Sequence, residues 1–253
     1  MNHSRNRLPL KNLLNARDLG GLRTQGGQRT RYGRFIRSDE PSLLDHEDIT
    51  SLLQYPVTMV IDLRDDLEVQ RRSTPFIRHK DILYRNIPLF GSDADDVESE
   101  VVKIAISQGL GNLYVYVLEN RRDFLAEIFR EMLAAPPGAV LFHCTHGKDR
   151  TGIIAALLLL LADVERSSIL ENYSATYDFI RPIVDPKMEK LPEHMQHILR
   201  SDRENMEIML SHIDRNYDGK ANSYFEHIGL SSQEIATLRC QLLDRDDDID
   251  SFV

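Results

Sequence analysis

The stretch from Ala139 to Ala162 constrains this chain more than any other segment. Ala139-Val140-Leu141-Phe142 is a short, unbroken apolar run, as expected of a strand covered on both faces of a sheet. Ile153 to Ala162 is apolar over ten consecutive residues and reads as a buried helix starting near Thr151. Between them lies His143-Cys144-Thr145-His146-Gly147-Lys148-Asp149-Arg150-Thr151-Gly152. A strand that passes through a tight loop into a helix N-terminus aims several backbone N–H groups at one point, and that point attracts an anion.

Similar apolar runs recur along the chain. Val57-Thr58-Met59-Val60-Ile61 is a second strand, Asp81 to Ile87 a third and Arg34-Phe35-Ile36 a short fourth. Helical patterns lie between them. The clearest, Leu118 to Leu133, puts Leu118, Leu125, Ile128, Phe129 and Met132 on one face and stops before Pro136-Pro137. This alternation predicts an α/β fold with a small central, mostly parallel sheet flanked by helices. The final third predicts a helical C-terminal part. Met206, Met209, Leu210 and Ile213 repeat behind Asp202, and Ser231-Ser232-Gln233-Glu234 forms a capping box before Ile235, Leu238 and Leu242. Asp214 to Gly219 imitates the start of a calcium loop, but the twelfth position is Phe225 and supplies no bidentate carboxylate. A turn between two helices is expected there.

Bulk properties narrow the class. No Pro/Gly/Ser linker divides the 253 residues, and 42% hydrophobic content supports one core, so 1–253 reads as a single domain. Residues 244–253 form an acidic tail with little to bury. A net charge of −9 argues against nucleic acid as a partner. It leaves room for a local basic pocket from Arg17, Arg37, Arg64, Lys148 and Arg150. Two cysteines, Cys144 and Cys240, offer no disulfide framework, and a reducing compartment suits a free thiol. There is no apolar signal core, and the longest apolar stretch is too short for a transmembrane segment. A cytoplasmic location is the expectation, although export without a cleavable signal would leave no mark in the sequence.

The loop itself specifies a chemistry. A thiolate is a competent nucleophile, and a helix N-terminus with nearby cations lowers a cysteine pKa to roughly 3.5–7.5. The Thr151 hydroxyl is placed to hydrogen-bond the same sulfur. Arg150 offers a planar fork that grips two phosphoryl oxygens and cannot deprotonate. Gly147 lets backbone approach an anion closely. Lys148 adds a point charge at the rim, and Thr145, His146 and Gly152 complete the substrate-binding lining. The implied reaction is covalent: Cys144 takes a phosphoryl group, an acid protonates the leaving oxygen, and water hydrolyses the phosphocysteine. It calls for no metal or other cofactor. A Cys-x5-Arg spacing alone would also suit a sulfur-transfer enzyme, an arsenate reductase or a phosphate-recognition module without turnover. A zinc site on His143, Cys144 and His146 is disfavoured, because adjacent ligands point apart and no second Cys/His pair stands at finger spacing.

The full string resembles the active-site loop of the cysteine-dependent phosphatases. It is most similar to the atypical bacterial protein tyrosine and lipid phosphatases, a family typified by the mycobacterial type-B tyrosine phosphatase. Asn15-Ala16-Arg17-Asp18-Leu19-Gly20-Gly21, Gly33-Arg34-Phe35-Ile36-Arg37-Ser38, Ile61-Asp62-Leu63-Arg64 with Glu68, and Tyr224 to Leu230 resemble its other motifs. The resemblance implies a phosphatase acting on phosphotyrosine, with phosphoserine/threonine and phosphoinositides as a wider range. A phosphorylated protein or a phosphoinositide is then the expected partner. Asp149, beside Arg150, is the first choice of general acid. Asp62 is the second, because it ends a buried strand and ligands gather at the carboxyl ends of parallel strands. Plain alternatives are that Asp149 holds the loop's shape and that Asp62 pairs with Arg17 or Arg64. His143 is expected to position Cys144. Arg17 and Asp18 are expected to brace the loop or the turn at Gly20-Gly21, with Arg64 in support. The family's mobile helical cover suggests a lid over 91–118.

Overall fold

The computed structural model describes residues 6–91 and 99–244. Five strands form one sheet: β1 (Arg17–Asp18), β2 (Phe35–Ser38), β3 (Val57–Asp62), β4 (Leu83–Asn86) and β5 (Ala139–His143), in the order β1-β2-β5-β3-β4. β2, β5, β3 and β4 run parallel, and β1 pairs antiparallel with β2 through Arg17↔Arg37. The expected mostly parallel sheet is present, and each of the four sequence-predicted strands is in it.

Register matters more than strand count. Ser38 lies opposite His143 on one side, and Asp62 lies opposite His143 on the other. Three parallel strands therefore end at one level, and the chain leaves β5 at Cys144. Successive residues of a strand face opposite ways. Val140 and Phe142 accordingly enter the main core, while Ala139 and Leu141 join a smaller cluster with Leu8, Leu13, Ile36, Leu52 and Phe76.

Ten α-helices are described: α1 (His46–Gln54), α2 (Asp66–Arg71), α3 (Glu100–Gln108), α4 (Leu110–Asn120), α5 (Arg122–Ala134), α6 (Asp149–Leu161), α7 (Arg166–Met188), α8 (Arg203–Asn216), α9 (Ala221–His227) and α10 (Ser232–Leu242). α6 is the central one. Eleven of its thirteen residues are buried, as a helix apolar all round must be. α4, α7, α9 and α10 pack around it.

The structure changes some expectations. The helix read over Leu118 to Leu133 is two helices, broken at Arg121, whose backbone (φ −121°, ψ 30°) leaves the helical region. Leu118 stays fully buried from the end of α4, so apolar spacing alone does not reveal the break. α6 begins at Asp149 rather than near Thr151. The Ser231–Glu234 capping box is formed. Asp214 pairs with Arg166 at 2.5 Å from inside the last turn of α8, and the turn expected over Asp214 to Gly219 is confined to residues 217–220, between α8 and α9. Of the segment read as a lid, residues 92–98 lie outside the described residues. From Leu110 onward it is α4, with Leu113, Tyr114 and Val117 in the core. The acidic tail beyond Asp244 also lies outside the described residues. Among the described residues, no helix is long and apolar enough to cross a membrane.

Leu157 sits in α6 with no exposed surface. Leu157→Ala should lower unfolding free energy by about 2–5 kcal/mol in urea titrations. Leu43→Ala, at a side chain 76% exposed, should change it by no more than about 0.5 kcal/mol. Equal effects would contradict the central placement of α6.

Candidate active site

The loop from Cys144 to Lys148 takes its shape from where its carbonyls go. The Thr145 carbonyl accepts from the Glu40 N–H at 3.2 Å. The His146 carbonyl accepts from Asn15 Nδ2 at 2.9 Å. The Gly147 carbonyl accepts from Asn15 Nδ2 at 3.1 Å and from an Arg37 Nη at 2.7 Å. In a trans peptide the N–H points opposite to the carbonyl of the same unit. The N–H groups of His146, Gly147 and Lys148 are thereby turned away from these braces. Among the described residues, none of the backbone N–H groups from Thr145 to Arg150 has a protein acceptor. The first turn of α6 adds its own free N–H groups and the positive end of the helix dipole.

Gly147 makes this path feasible. Its φ is +64°, and a Cβ there would fall 2.4 Å from the Ser38 carbonyl oxygen, so β2 and the loop can touch only through glycine. Asn15 is itself fixed by Asp39, whose carboxylate accepts from the Leu14 and Asn15 N–H groups at 3.1 and 3.0 Å.

Cys144 opens the loop, 3% exposed. Arg150, from α6, places both terminal nitrogens on Glu68 of α2 and stacks its guanidinium 5.2 Å from the Phe90 ring centre. Glu68 also accepts from the Thr145 hydroxyl and, at 3.0 Å, from the Asp65 N–H. Burial opposes ionisation of Glu68, but Arg150, Thr145 and Asp65 outweigh it and pull its carboxyl down to about 2. Burial would also lower Arg150, yet Glu68 and the nearby Cys144 sulfur hold it above its ordinary value.

The two candidate acids occupy different surroundings. Asp62 is fully buried. Its Oδ1 accepts from the Arg64 N–H at 3.0 Å and Nε at 2.9 Å, and its Oδ2 from Arg64 Nη2 at 2.6 Å and the Tyr84 hydroxyl at 3.0 Å. Burial alone would raise its carboxyl, but His143 and Arg64 bring it below the usual value. Both oxygens are taken, with Arg64 as the main partner, which is the alternative the sequence left open for Asp62. Arg64 also pairs with Glu40 at 2.9 Å. Asp149 is 23% exposed on its side chain. Its Oδ1 accepts from the Tyr114 hydroxyl at 2.5 Å and from Lys148 Nζ at 2.7 Å. Its Oδ2 has no hydrogen-bond partner among the described residues. Tyr114 is in turn bonded to Tyr173 at 2.6 Å.

Two expectations need correction, for Lys148 and Thr151, and Asp18 takes the second of its two expected roles. Lys148 is not at the rim: its side chain is 2% exposed and its ammonium is held by Asp149 and the Arg200 carbonyl at 3.0 Å. The Thr151 hydroxyl is buried without a partner, so it makes no bond to the sulfur. Asp18 serves the turn, accepting from the Gly20 and Gly33 N–H groups and the Tyr55 hydroxyl at 2.6, 2.7 and 2.6 Å. Arg17 does brace the loop, at one remove, by bonding Asn15 and the Asn172 carbonyl. His143 is buried, and its Nδ1 donates to the Cys144 carbonyl at 3.2 Å. Burial lowers its pKa and favours the neutral ring. His146 is half-buried beside Lys187 Nζ at 3.1 Å. Burial and that ammonium push it down to about 4. Gly152 packs on the Tyr173 ring, where a Cβ would approach to 3.0 Å.

Asn15, Glu68, Tyr114 and Asn172 are functional candidates that sequence reasoning does not name as site residues, and Arg37 is read there only into a local basic pocket. Asp65-x-x-Glu68 is a visible capping box, which signals a helix start but not an arginine clamp. Nothing in the local sequence marks Tyr114 or Asn172.

The Glu68 clamp predicts a pH-dependent stability difference. A carboxyl depressed from 4.5 to about 2 contributes stability that is present above about pH 4.5 and lost as pH falls toward 2. The stability gap between wild type and Glu68→Gln, measured by denaturant titration, should therefore be widest near neutrality and close across that window. A gap independent of pH would remove the clamp's ionic character.

A model of the tyrosine phosphatase family matches residues 8–244. A tyrosine-protein phosphatase of Nostoc commune is 31% identical over 219 residues, covering 82% of this chain and 74% of the relative. A putative tyrosine-protein phosphatase of Cupriavidus necator is 35% identical across 67% of this chain and 62% of its own length. The triple specificity protein phosphatase PtpB of Mycobacterium tuberculosis is 28% identical across 59% of this chain and 63% of its own. Among solved structures, P. aeruginosa TpbA in complex with phosphotyrosine is 14% identical, with a TM-score of 0.37 over 70% of this chain and 85% of that one. With the family model matched along nearly its whole length, the chain belongs to the tyrosine phosphatase family.

Proposed function

We propose that this protein hydrolyses phosphotyrosine through a phosphocysteine on Cys144, without a metal. The observation that carries this reading is the loop's polarity. Its carbonyls are captured from outside by Glu40, Asn15 and Arg37, while its N–H groups have no protein acceptor among the described residues and Arg150, aligned by Glu68, stands beside them.

The Cys144 thiolate attacks phosphorus, and the S–P bond forms as the bond to the ester oxygen breaks. Asp149 gives its proton to that oxygen, using the Oδ2 that no neighbour occupies. Water then attacks phosphorus, its proton passes to Asp149, the S–P bond breaks and phosphate departs. Arg150 follows the equatorial oxygens through both steps, with its fork aligned by Glu68. Asp62 is a positioning residue that, with Arg64 and His143, supports the end of β5. Phosphoserine, phosphothreonine and phosphoinositides are further candidate substrates.

The test is phosphate release in EDTA from a phosphotyrosine peptide, a phosphoserine peptide and phosphoinositides, comparing wild type with Cys144→Ser. Turnover that survives EDTA and vanishes in the variant supports the thiolate route, and the preferred substrate names the class. Silence on every substrate would leave a phosphate-binding module. Asp149→Asn should slow hydrolysis of poor leaving groups about 10²–10⁴-fold and of good ones far less. An equal loss on both would reduce Asp149 to a structural role.

A further inference from the structure

We propose that Tyr114 is a positioning residue for the acid of this reaction, occupying one oxygen of Asp149 so that the transferable proton sits on the other. The inference deepens the phosphatase reading above and rests on Asp149 as its acid.

Tyr114 has no exposed surface. It lies in α4, 35 residues before Asp149, and reaches it because α4 packs on α6. Its hydroxyl donates to Asp149 Oδ1 at 2.5 Å and stands 2.6 Å from the Tyr173 hydroxyl. A phenol has one proton to give. With that proton directed at Asp149, the Tyr114 oxygen is the acceptor and Tyr173 is the donor. The chain of bonds therefore runs one way, from Tyr173 in α7 through Tyr114 to the carboxylate. Burial, with the neighbouring Asp149 charge, holds Tyr114 protonated, so it remains a donor. The two rings meet edge-on, with centroids 5.9 Å apart and planes at 81°. Gly152 makes room for them: a Cβ there would fall 3.0 Å from the Tyr173 ring, one turn along α6 from Asp149.

Asp149 Oδ1 has a second donor. Lys148 Nζ reaches it at 2.7 Å and is itself anchored on the Arg200 carbonyl at 3.0 Å. A carboxyl oxygen has two lone-pair directions, and on Oδ1 both are in use. A proton placed there would displace Tyr114 or Lys148, whereas a proton on Oδ2 displaces neither. Both bonds to Oδ1 thus hold in the ionised and the protonated form. The carboxyl keeps one orientation while its proton passes to the ester oxygen and is replaced from the attacking water. Tyr114 also keeps the carboxyl off the loop. Asp149 opens α6, where unpaired N–H groups attract a carboxylate. Among the described residues its oxygens accept from Tyr114 and Lys148 and from no backbone N–H. Without the tyrosine donor, the side chain could turn onto the N–H groups that the phosphoryl group needs.

The experiment compares kcat/KM on aryl phosphates from para-nitrophenyl phosphate, a good leaving group, to phenyl phosphate, a poor one. This ratio covers the step in which the leaving group departs. Tyr114→Phe should lower it about tenfold or more on phenyl phosphate and less than about threefold on para-nitrophenyl phosphate, as partial loss of the acid requires. In an Asp149→Asn background the same change should cost less than about twofold, because the two residues act as one unit. Tyr224→Phe removes another fully buried hydroxyl, bonded to the Leu118 carbonyl at 3.0 Å, and should leave the leaving-group dependence unchanged. If Tyr114→Phe folds poorly because the Tyr173 hydroxyl loses its partner, Tyr114→Phe with Tyr173→Phe removes both hydroxyls and carries the same expectation. No loss, an equal loss on both substrates, or a loss undiminished in Asp149→Asn would overturn the role of Tyr114 and leave the phosphatase reading standing. A wild type that turns over neither ester would overturn that reading, and this role with it.

Discussion

The site depends on a backbone constraint: the carbonyls of Thr145, His146 and Gly147 are tied down from outside the loop. Without those bonds the loop's peptide units could rotate, and N–H groups gathered at one point would repel one another in the absence of an anion. The constraint requires β2 to lie against β5, because Arg37 and the Ser38 carbonyl must reach Gly147. It requires an ordered N-terminal segment, because Asn15 spans two carbonyls. It also requires α7 to return over the sheet, because Asn172 and Thr176 hold the arginines that hold the loop.

The charged groups divide into two sets. Asp62, Arg64 and Glu40 satisfy one another beneath the loop, and Lys148 is drawn inward onto Asp149 and the Arg200 carbonyl. These groups lock geometry and leave little for a ligand. Among the described residues, the loop N–H groups and Asp149 Oδ2 keep capacity to spare. The burial of Lys148 also withdraws from the rim the cation best suited to a multiply charged lipid headgroup.

Much of this architecture is legible in the amino-acid sequence. The apolar runs at Val57 and Ala139 read as parallel strands because burial on both faces leaves a continuous signature. The all-apolar α6 announces its own enclosure. Cys144 and Arg150 are readable because their spacing on a strand–loop–helix has a mechanical meaning. What stays hidden involves partners that only the fold brings together. The sequence offers Arg17 and Arg64 equally as partners of Asp62, and only the fold shows that Arg64, two residues on, turns back to it. Nothing near Lys148 shows that Arg200 will offer a carbonyl. The break at Arg121 is a single residue's backbone angle and leaves no trace in an apolar pattern.

The sequence distances across the site have a consequence for how function fails. Asn15 reaches its loop carbonyls across 131 and 132 residues, Arg37 across 110, and Arg150 reaches Glu68 across 82. Arg17 reaches Asn172 across 155. Such contacts form only after long stretches of chain have closed, late and together. A fragment carrying the whole loop sequence would hold Cys144 and Arg150 but none of the braces that turn the carbonyls outward. Local opening of the N-terminal segment would release the loop while the hydrophobic core stays packed. The loop is therefore a sensor of global order, and its shape reports whether Asn15 and Arg37 from the N-terminal part and Asn172 from α7 have been brought to it.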